Sequence, residues 1–404
     1  MTPTPEATKP PVLAPILAGV SGALAGFASS FAIVMAGAVA VGATAGQAAS
    51  GLLVVSLVQG VLAIVLSATS RWPISIAWST PGAAVLVGAG TITQDFPTAV
   101  AAFIVVGVMI ALTGLWPWLS RVMTSIPAPI GSAMLAGILL PICLVPVEAS
   151  MTFPALALPP ILVWLVLSRF AARWAVPAAV LLTVVLVIIS AGPSWAAGVN
   201  LAPHLELVAP SFADPLAIVS LAIPMYIVTM AGQNIPGFTV LHTYGYAPAP
   251  ARQIMLTTGL ASAVSAPFGA QTVNLSALSA AIMVGDEHTP RDRRWIATAT
   301  GGIVYILLGL TATVAGALIT ASPTILIVSV AGLALLGALI TAIMSALEDA
   351  RARVVAVGTF IVVASGMTVF GFGSAVWGLI VGTIIWLVFI TSARKPRAEA
   401  DATA

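Results

Sequence analysis

The chain has 404 residues, 60% hydrophobic and 6% charged, where an ordinary soluble domain is roughly 25% charged; this excludes a water-soluble fold. At about 20 apolar residues per spanning helix, the length holds about twelve to fourteen spans and no extramembrane domain. A formal net charge of +2 from scattered basic residues excludes a nucleic-acid partner, and the single Cys143, read as a small packed residue, excludes an internal disulfide and a cysteine-built metal site.

Residues 1–11 contain Glu6, four prolines and no basic n-region, so they do not read as a cleaved signal peptide. Apolar runs between Gly, Pro and charged punctuation place segments near 13–40, 47–69, 80–92, 98–119, 127–147, 156–170, 175–192, 213–235, 250–265, 274–285, 294–320, 323–343, 352–370 and 374–392. With a cytoplasmic N-terminus, this count puts all 14 Lys and Arg residues on the cytoplasmic side. The opposite loops hold Asp95, Glu148, Glu206 and Asp214 with His204. The positive-inside bias supports both the count and two cytoplasmic termini.

The two halves match at an offset of about 194 or 195 residues: Met35-Ala36-Gly37 recurs as Met230-Ala231-Gly232, Pro73 falls on Pro267, and Thr80 on Asn274. In each half, six or seven residues of extended character end in an N-cap type residue, Thr80 before Pro81 and Gly82, or Asn274 before Leu275 and Ser276, and a short apolar helix follows. The expected fold is an all-α polytopic membrane protein of about 14 segments in 7+7 inverted repeats, residues 1–200 and 201–395. Its third and tenth spans are half strand and half helix and meet at the midplane. Non-helical backbone at membrane depth survives only where protein or a cavity satisfies it, so the two extended pieces are expected to pair. Their helix N-termini then face the midplane and suit a carboxylate or similar anion, or a neutral polar solute.

Tyr226, Met230 and Gln233 share a face by the i, i+4, i+7 rule, which puts an aromatic and an amide toward one cavity. Gln233 and Asn234 either tie down backbone broken at Pro236 or contact a ligand. Phe27 and Phe31 lie one turn apart, as a packing pair or a stacking wall for a ring. Trp78 and Phe268, within the extended segments, either pack or flank the same cavity. Backbone satisfaction is the expectation for Ser75, Ser79, Gln271 and Thr272, and an interhelix hydrogen bond for Gln59. No Asp, Glu, Lys or Arg falls in the core of any span, and His204, His242 and His288 sit in or near loops. No residue is therefore assigned to a coupling proton, and a carboxylate substrate can be the protonated group itself. The charged loop 286–295 reads as an interfacial anchor with Trp295 at headgroup level.

These features resemble the benzoate:proton symporter family, the BenE type, from about Pro11 to Arg394. The strings that carry the resemblance are Trp-Pro-Ile-Ser-Ile-Ala-Trp-Ser-Thr-Pro-Gly (72–82), Gly-Gln-Asn-Ile-Pro-Gly (232–237) and Pro-Phe-Gly-Ala-Gln-Thr-Val-Asn-Leu (267–275), with the first span around Phe27. The resemblance implies uptake of benzoate or a related aromatic carboxylate with a proton, no other cofactor, and the plasma (cell inner) membrane as location. It also implies the inverted-repeat fold of uracil and xanthine permeases and sulfate-type anion transporters, compatible with a homodimer. In that fold a substrate-carrying core, here 13–120 and 213–321, moves against a gate, here 127–192 and 323–392. Positions that carry carboxylates in nucleobase permeases appear here as Gln233/Asn234 and Ala270-Gln271, a loss of negative charge that suits an anionic substrate.

The expected binding set is the backbone of Thr80, Pro81, Gly82, Asn274, Leu275 and Ser276, with Gln233 and Asn234 orienting the carboxylate and Phe27, Phe31, Tyr226, Trp78 or Phe268 holding the ring. A nucleobase or inorganic-anion permease and an anion channel of the same architecture are the competing readings. A membrane-embedded enzyme would need a nucleophile–base pair, metal cluster or carboxylate dyad at membrane depth, and the sequence has none.

Overall fold

The computed structural model describes residues 13–116, 118, 126–192, 202–246, 249–276, 278–284 and 289–391. Both expected cytoplasmic termini and His288 lie outside the described residues. The first half comprises α1 (Leu13–Ala40), α2 (Ala45–Ser70), β1 (Ile76–Trp78), α3 (Thr80–Val87), α4 (Phe96–Leu115), α5 (Ala128–Thr152), α6 (Pro154–Phe170) and α7 (Ala172–Ala191). The second begins with α8 (Pro215–Thr229), which runs through a π-helical turn (Met230–Asn234) into α9 (Ile235–Thr243). There follow α10 (Ala251–Ser265), β2 (Val273–Leu275), α11 (Leu278–Val284), α12 (Arg294–Gly309), α13 (Ala312–Ala321), α14 (Thr324–Leu347), α15 (Arg353–Ala364), the hairpin β3 (Thr368–Val369) and β4 (Phe372–Gly373), and α16 (Ser374–Trp386).

A helical or strand–helix element lies at each of the fourteen expected segment positions. Seven described helices are each long and apolar enough to cross a membrane, and α12 with α13, bent by 49°, make an eighth. The expected thirteenth segment is shorter than its apolar run: the helix stops at Ala364, Gly366 takes φ +64°, and the chain turns into β3–β4.

Sequence signals explain the helix ends. Thr44 and Gln47 form a reciprocal capping box at the start of α2. Asp95 and Asp214 cap α4 and α8, each followed by a proline in the first turn. Charge is segregated along the molecule. The first turn of α2 lies against Glu206, Gly46 and Ser50 both meeting it, and the helix ends at Arg71, whose guanidinium sits 4.4 Å from the Trp295 ring centroid. Arg291 stacks on Tyr246 in the same region, and burial pushes the Tyr246 phenol above its ordinary value against the opposing pull of Arg294 and Arg291.

Two helix pairs pack in the same reciprocal way. A Cβ on Gly60 of α2 would lie 2.5 Å from the Gly302 carbonyl oxygen of α12, and one on Gly302 would lie 2.6 Å from that of Gly60. Gly107 of α4 and Gly259 of α10 meet in the same reciprocal way, at 2.8 and 2.6 Å. The second span against the eleventh thus matches the ninth against the fourth, each through a bare backbone contact that only paired glycines allow. Beside this bundle, α5 packs along α14 and against α15 and α16, and α6 packs on α7.

Candidate substrate site

β1 and β2 pair antiparallel, with Ile76, Ala77 and Trp78 opposite Leu275, Asn274 and Val273. Flanking bonds extend the ladder, Ser79 N–H to the Thr272 carbonyl and Ser276 N–H to the Ser75 carbonyl, both 2.9 Å. These two bonds interchange under a two-fold that relates Ser79 to Ser276 and Ser75 to Thr272, an offset of 197 residues. The expected 194 is therefore three residues short at this point.

A two-stranded sheet has two outer edges, and in an apolar interior their N–H groups need partners. Three side chains supply partners for Trp78, Val273 and Leu275. Gln59 Oε1 accepts from Trp78 N at 2.6 Å, Asn234 Oδ1 from Leu275 N at 3.1 Å, and Ser262 Oγ from Val273 N at 2.9 Å. Gln59 therefore ties a helix to a strand, and Asn234 secures backbone in the partner span, 41 residues along the chain. The second Asn234 group, Nδ2, donates to Met230 Sδ.

The helix caps differ from expectation in both halves. Ser79 caps α3, its Oγ accepting from Gly82 N at 3.0 Å, with Thr80 and Pro81 inside the first turn. In the second half Asn274 and Leu275 are strand residues, and Ser276 Oγ accepts from Ser279 N at 3.2 Å ahead of the seven-residue α11. Strand pairing moves the caps, because the ladder holds the chain extended through Asn274 and Leu275.

Side chains alternate across a strand, so one face of the pair carries Ser75, Ala77, Ser79, Thr272, Asn274 and Ser276. At one end of this face the hydroxyls satisfy one another: Ser75 with Ser279 at 3.0 Å, and Ser279 with Ser276 at 2.5 Å. At the other end Ser79 Oγ meets Thr229 Oγ1 at 2.5 Å. Thr272 Oγ1 and Asn274 Oδ1, on residues with 0% exposure, have no partner among the described residues. The same holds for the two amide atoms of Gln271, on the opposite face, and for Nε2 of Gln59. Backbone satisfaction thus accounts for Ser79, but not for Ser75, whose hydroxyl meets that of Ser279, nor for the side chains of Gln271 and Thr272.

Trp78 lies edge-on to Phe27 at 5.3 Å, Phe27 stacks on Phe31 at 5.6 Å, and the indole N–H donates to Ser30 Oγ. Half-buried Phe31 also borders an apolar cavity of about 40 Å³ toward Val180, Val187 and Ile327. Tyr226 stands apart from this cluster. Its hydroxyl bonds Thr113 of α4 and its side chain is 1% exposed. The shared face expected for Tyr226, Met230 and Gln233 assumes unbroken α-helix, whereas the π turn at Met230–Asn234 inserts an extra residue and rotates the helix beyond it. Half-buried Gln233 lies in that turn, where a Cβ on neighbouring Gly232 would sit 3.2 Å from Pro81 and 3.3 Å from Leu135 of α5. Phe268 ends a 3₁₀ turn before β2, its carbonyl accepting from Ser50 Oγ.

Thr229, Ser262, Ser279 and Tyr305 were not singled out for these roles by sequence. Tyr305 tilts against Trp78 at 6.2 Å, and a tyrosine inside an apolar span was the one available signal. A second cavity, about 210 Å³, lies past the C-terminal end of α3, bordered by Ala84, Val87, Ile92, Pro141, Ser220 and Ser374. Among the described residues, no three His, Cys, Asp or Glu side chains come together.

The family model described as benzoate membrane transport protein (BenE) matches residues 9–388. The chain belongs to the BenE family of membrane transport proteins, and it is a transporter rather than an enzyme. Among its relatives, the inner membrane protein YdcO of Escherichia coli K12 is 38% identical over 367 residues, 90% of this chain and 93% of that protein. The benzoate membrane transport protein of Acinetobacter baylyi is 31% identical over 353 residues, 85% of this chain and 86% of that protein. Among solved structures, SLC26A9 matches with TM-score 0.64 and 11% identity over 94% of this chain, which spans 66% of that one. The transmembrane domain of the cyanobacterial bicarbonate transporter BicA matches with TM-score 0.58 and 14% identity, over 93% of this chain and 98% of that one. This BenE chain therefore has the fold of those anion transporters.

Proposed function

We propose that the protein carries benzoate or a related aromatic carboxylate with a proton into the cell, by alternating access across the inner membrane. The observation that carries the reading is the strand pair itself, which sets the N-terminus of α3 beside two unpartnered buried polar side chains on one face and turns Trp78 and its aromatic cluster to the other, in a chain of the benzoate transport family. The relatives' names, one a benzoate membrane transport protein and one an inner membrane protein, support the substrate class and the location. α3 offers the positive end of a helix dipole to a carboxyl group, and Phe27, Phe31 and Trp78 offer a ring wall. We assign spans one to four and eight to eleven to a moving core, spans five to seven and twelve to fourteen to a gate, and both termini to the cytoplasm. The 210 Å³ cavity between α3 and α5 supports a core–gate seam there.

The test is labelled benzoate uptake into proteoliposomes with and without an inward proton gradient, with uracil, sulfate and bicarbonate as competitors. Saturable, gradient-stimulated uptake that none of the three blocks is expected. Flux of an inorganic anion or uracil without benzoate flux would keep the fold and overturn the substrate.

A further inference from the structure

The two-fold of the strand pair relates Thr272 to Ser75 and Gly82 to Ser279. Ser75 Oγ is satisfied by Ser279 Oγ, but the counterpart of Ser279 is a glycine, so Thr272 Oγ1 has no equivalent hydroxyl to meet. Asn274 has the same difficulty: Ala77 stands directly opposite it and offers no polar group. The orientation of the Asn274 amide is fixed, because Nδ2 donates to the Leu275 carbonyl at 2.6 Å. The unpartnered atom is then the oxygen, an acceptor. Leaving a buried acceptor unmade is costly, so the group it meets during the transport cycle has to be a donor.

We infer that the substrate carboxyl is bound in its protonated form, its O–H donated to Asn274 Oδ1 and its other oxygen turned to the Thr272 hydroxyl and the N-terminus of α3. This rests on the aromatic carboxylate reading above and adds where the coupling proton travels. A carboxylate would set a negative oxygen against the Asn274 oxygen, whereas the neutral acid matches one acceptor and one set of donors. The anion and one proton combine on entry, cross as the acid, and separate into the same anion and proton on release. No protein group changes charge.

The titratable groups on the surrounding elements leave that role to the substrate. α1, α3 and α11 carry none. α2 ends at Arg71, α10 carries Arg252 in its first turn, α9 carries His242 in its last, and α12 begins at Arg294. The phenols of Tyr226 on α8 and Tyr305 on α12 are engaged with Thr113 and Ser279.

The test is binding of labelled benzoate to the purified full-length protein in lipid nanodiscs. A carboxyl of ordinary pKa, about 4, loses its neutral form tenfold per pH unit above that value, so the apparent Kd is expected to rise about tenfold per unit between about pH 6 and 8. Benzamide, a neutral isostere with a donor, is expected to displace benzoate at pH 7. Benzenesulfonate, which stays ionised, is not. Asn274→Leu removes the acceptor and is expected to raise the benzoate Kd at pH 6 at least about tenfold; the melting temperature of this variant, followed in parallel, shows that it is folded. A flat Kd with displacement by benzenesulfonate in the unmodified protein would overturn this inference alone. No benzoate binding at any pH would overturn the substrate reading and this inference together.

Discussion

The two ends of the β1–β2 pair are related by the internal two-fold and yet are built differently. Around the start of α11, Ser75, Ser276 and Ser279 close a hydroxyl cluster in which each oxygen has a partner. Around the start of α3, Gly82 replaces the third hydroxyl, and Thr272 and Asn274 are left with unmatched polar atoms. An inverted repeat supplies two equivalent corners, but a single substrate needs only one. On the proposed function, the closed corner is scaffold and the unmatched corner is where stability is given up for a ligand.

Removing a scaffold partner should have the largest effect. Asn234→Leu strands the Leu275 N–H in an apolar interior and is expected to cost about 1–3 kcal/mol, read as a lower unfolding temperature in detergent. Gln59→Leu should do the same through Trp78 N. Ser279→Ala breaks the closed corner and is expected to cost about 1 kcal/mol while leaving benzoate affinity within about twofold. If uptake fell further than stability, the closed corner would be part of the site and the contrast would fail.

Thr272→Val reverses this pattern. It replaces an unpartnered buried hydroxyl with a methyl, so stability should hold or rise by up to about 1 kcal/mol, while benzoate uptake falls at least about tenfold, the equivalent of losing about 1.4 kcal/mol of binding. A variant that lost stability and kept uptake would make Thr272 structural. Phe31→Ala should weaken benzoate binding by about 0.5–1.5 kcal/mol if the ring stacks there. The smallest effect is expected at Phe268, where Phe268→Ala leaves benzoate affinity within about twofold, because its backbone carbonyl rather than its ring holds Ser50.

Part of the site was legible because the broken spans carry local signals. Pro81 and Gly82 after Thr80 mark a helix start, and Pro73 marks extended chain ahead of it, whereas its counterpart Pro267 lies in a 3₁₀ turn. The register was not legible. Ser79 rather than Thr80 caps α3, and Ser276 rather than Asn274 precedes α11, because strand pairing between the halves holds residues extended that isolated sequence would give to a helix. The shared face of Tyr226, Met230 and Gln233 was not legible for a similar reason, since a π turn changes the face downstream of Met230 and periodicity counts on 3.6 residues per turn.

The sequence by itself determined a membrane solvent, segment positions, segregated charge and two symmetric interruptions, since each depends on hydropathy, charge and turn chemistry within one stretch of chain. Only the tertiary structure decided which polar atoms are satisfied. Gln59, Asn234 and Ser262 reach strand N–H groups 19, 41 and 11 residues away, and whether Thr272 or Ser75 finds a hydroxyl depends on what the other half places opposite it. Hydrogen bonding across the two halves is a property of their packing, and no local pattern encodes it.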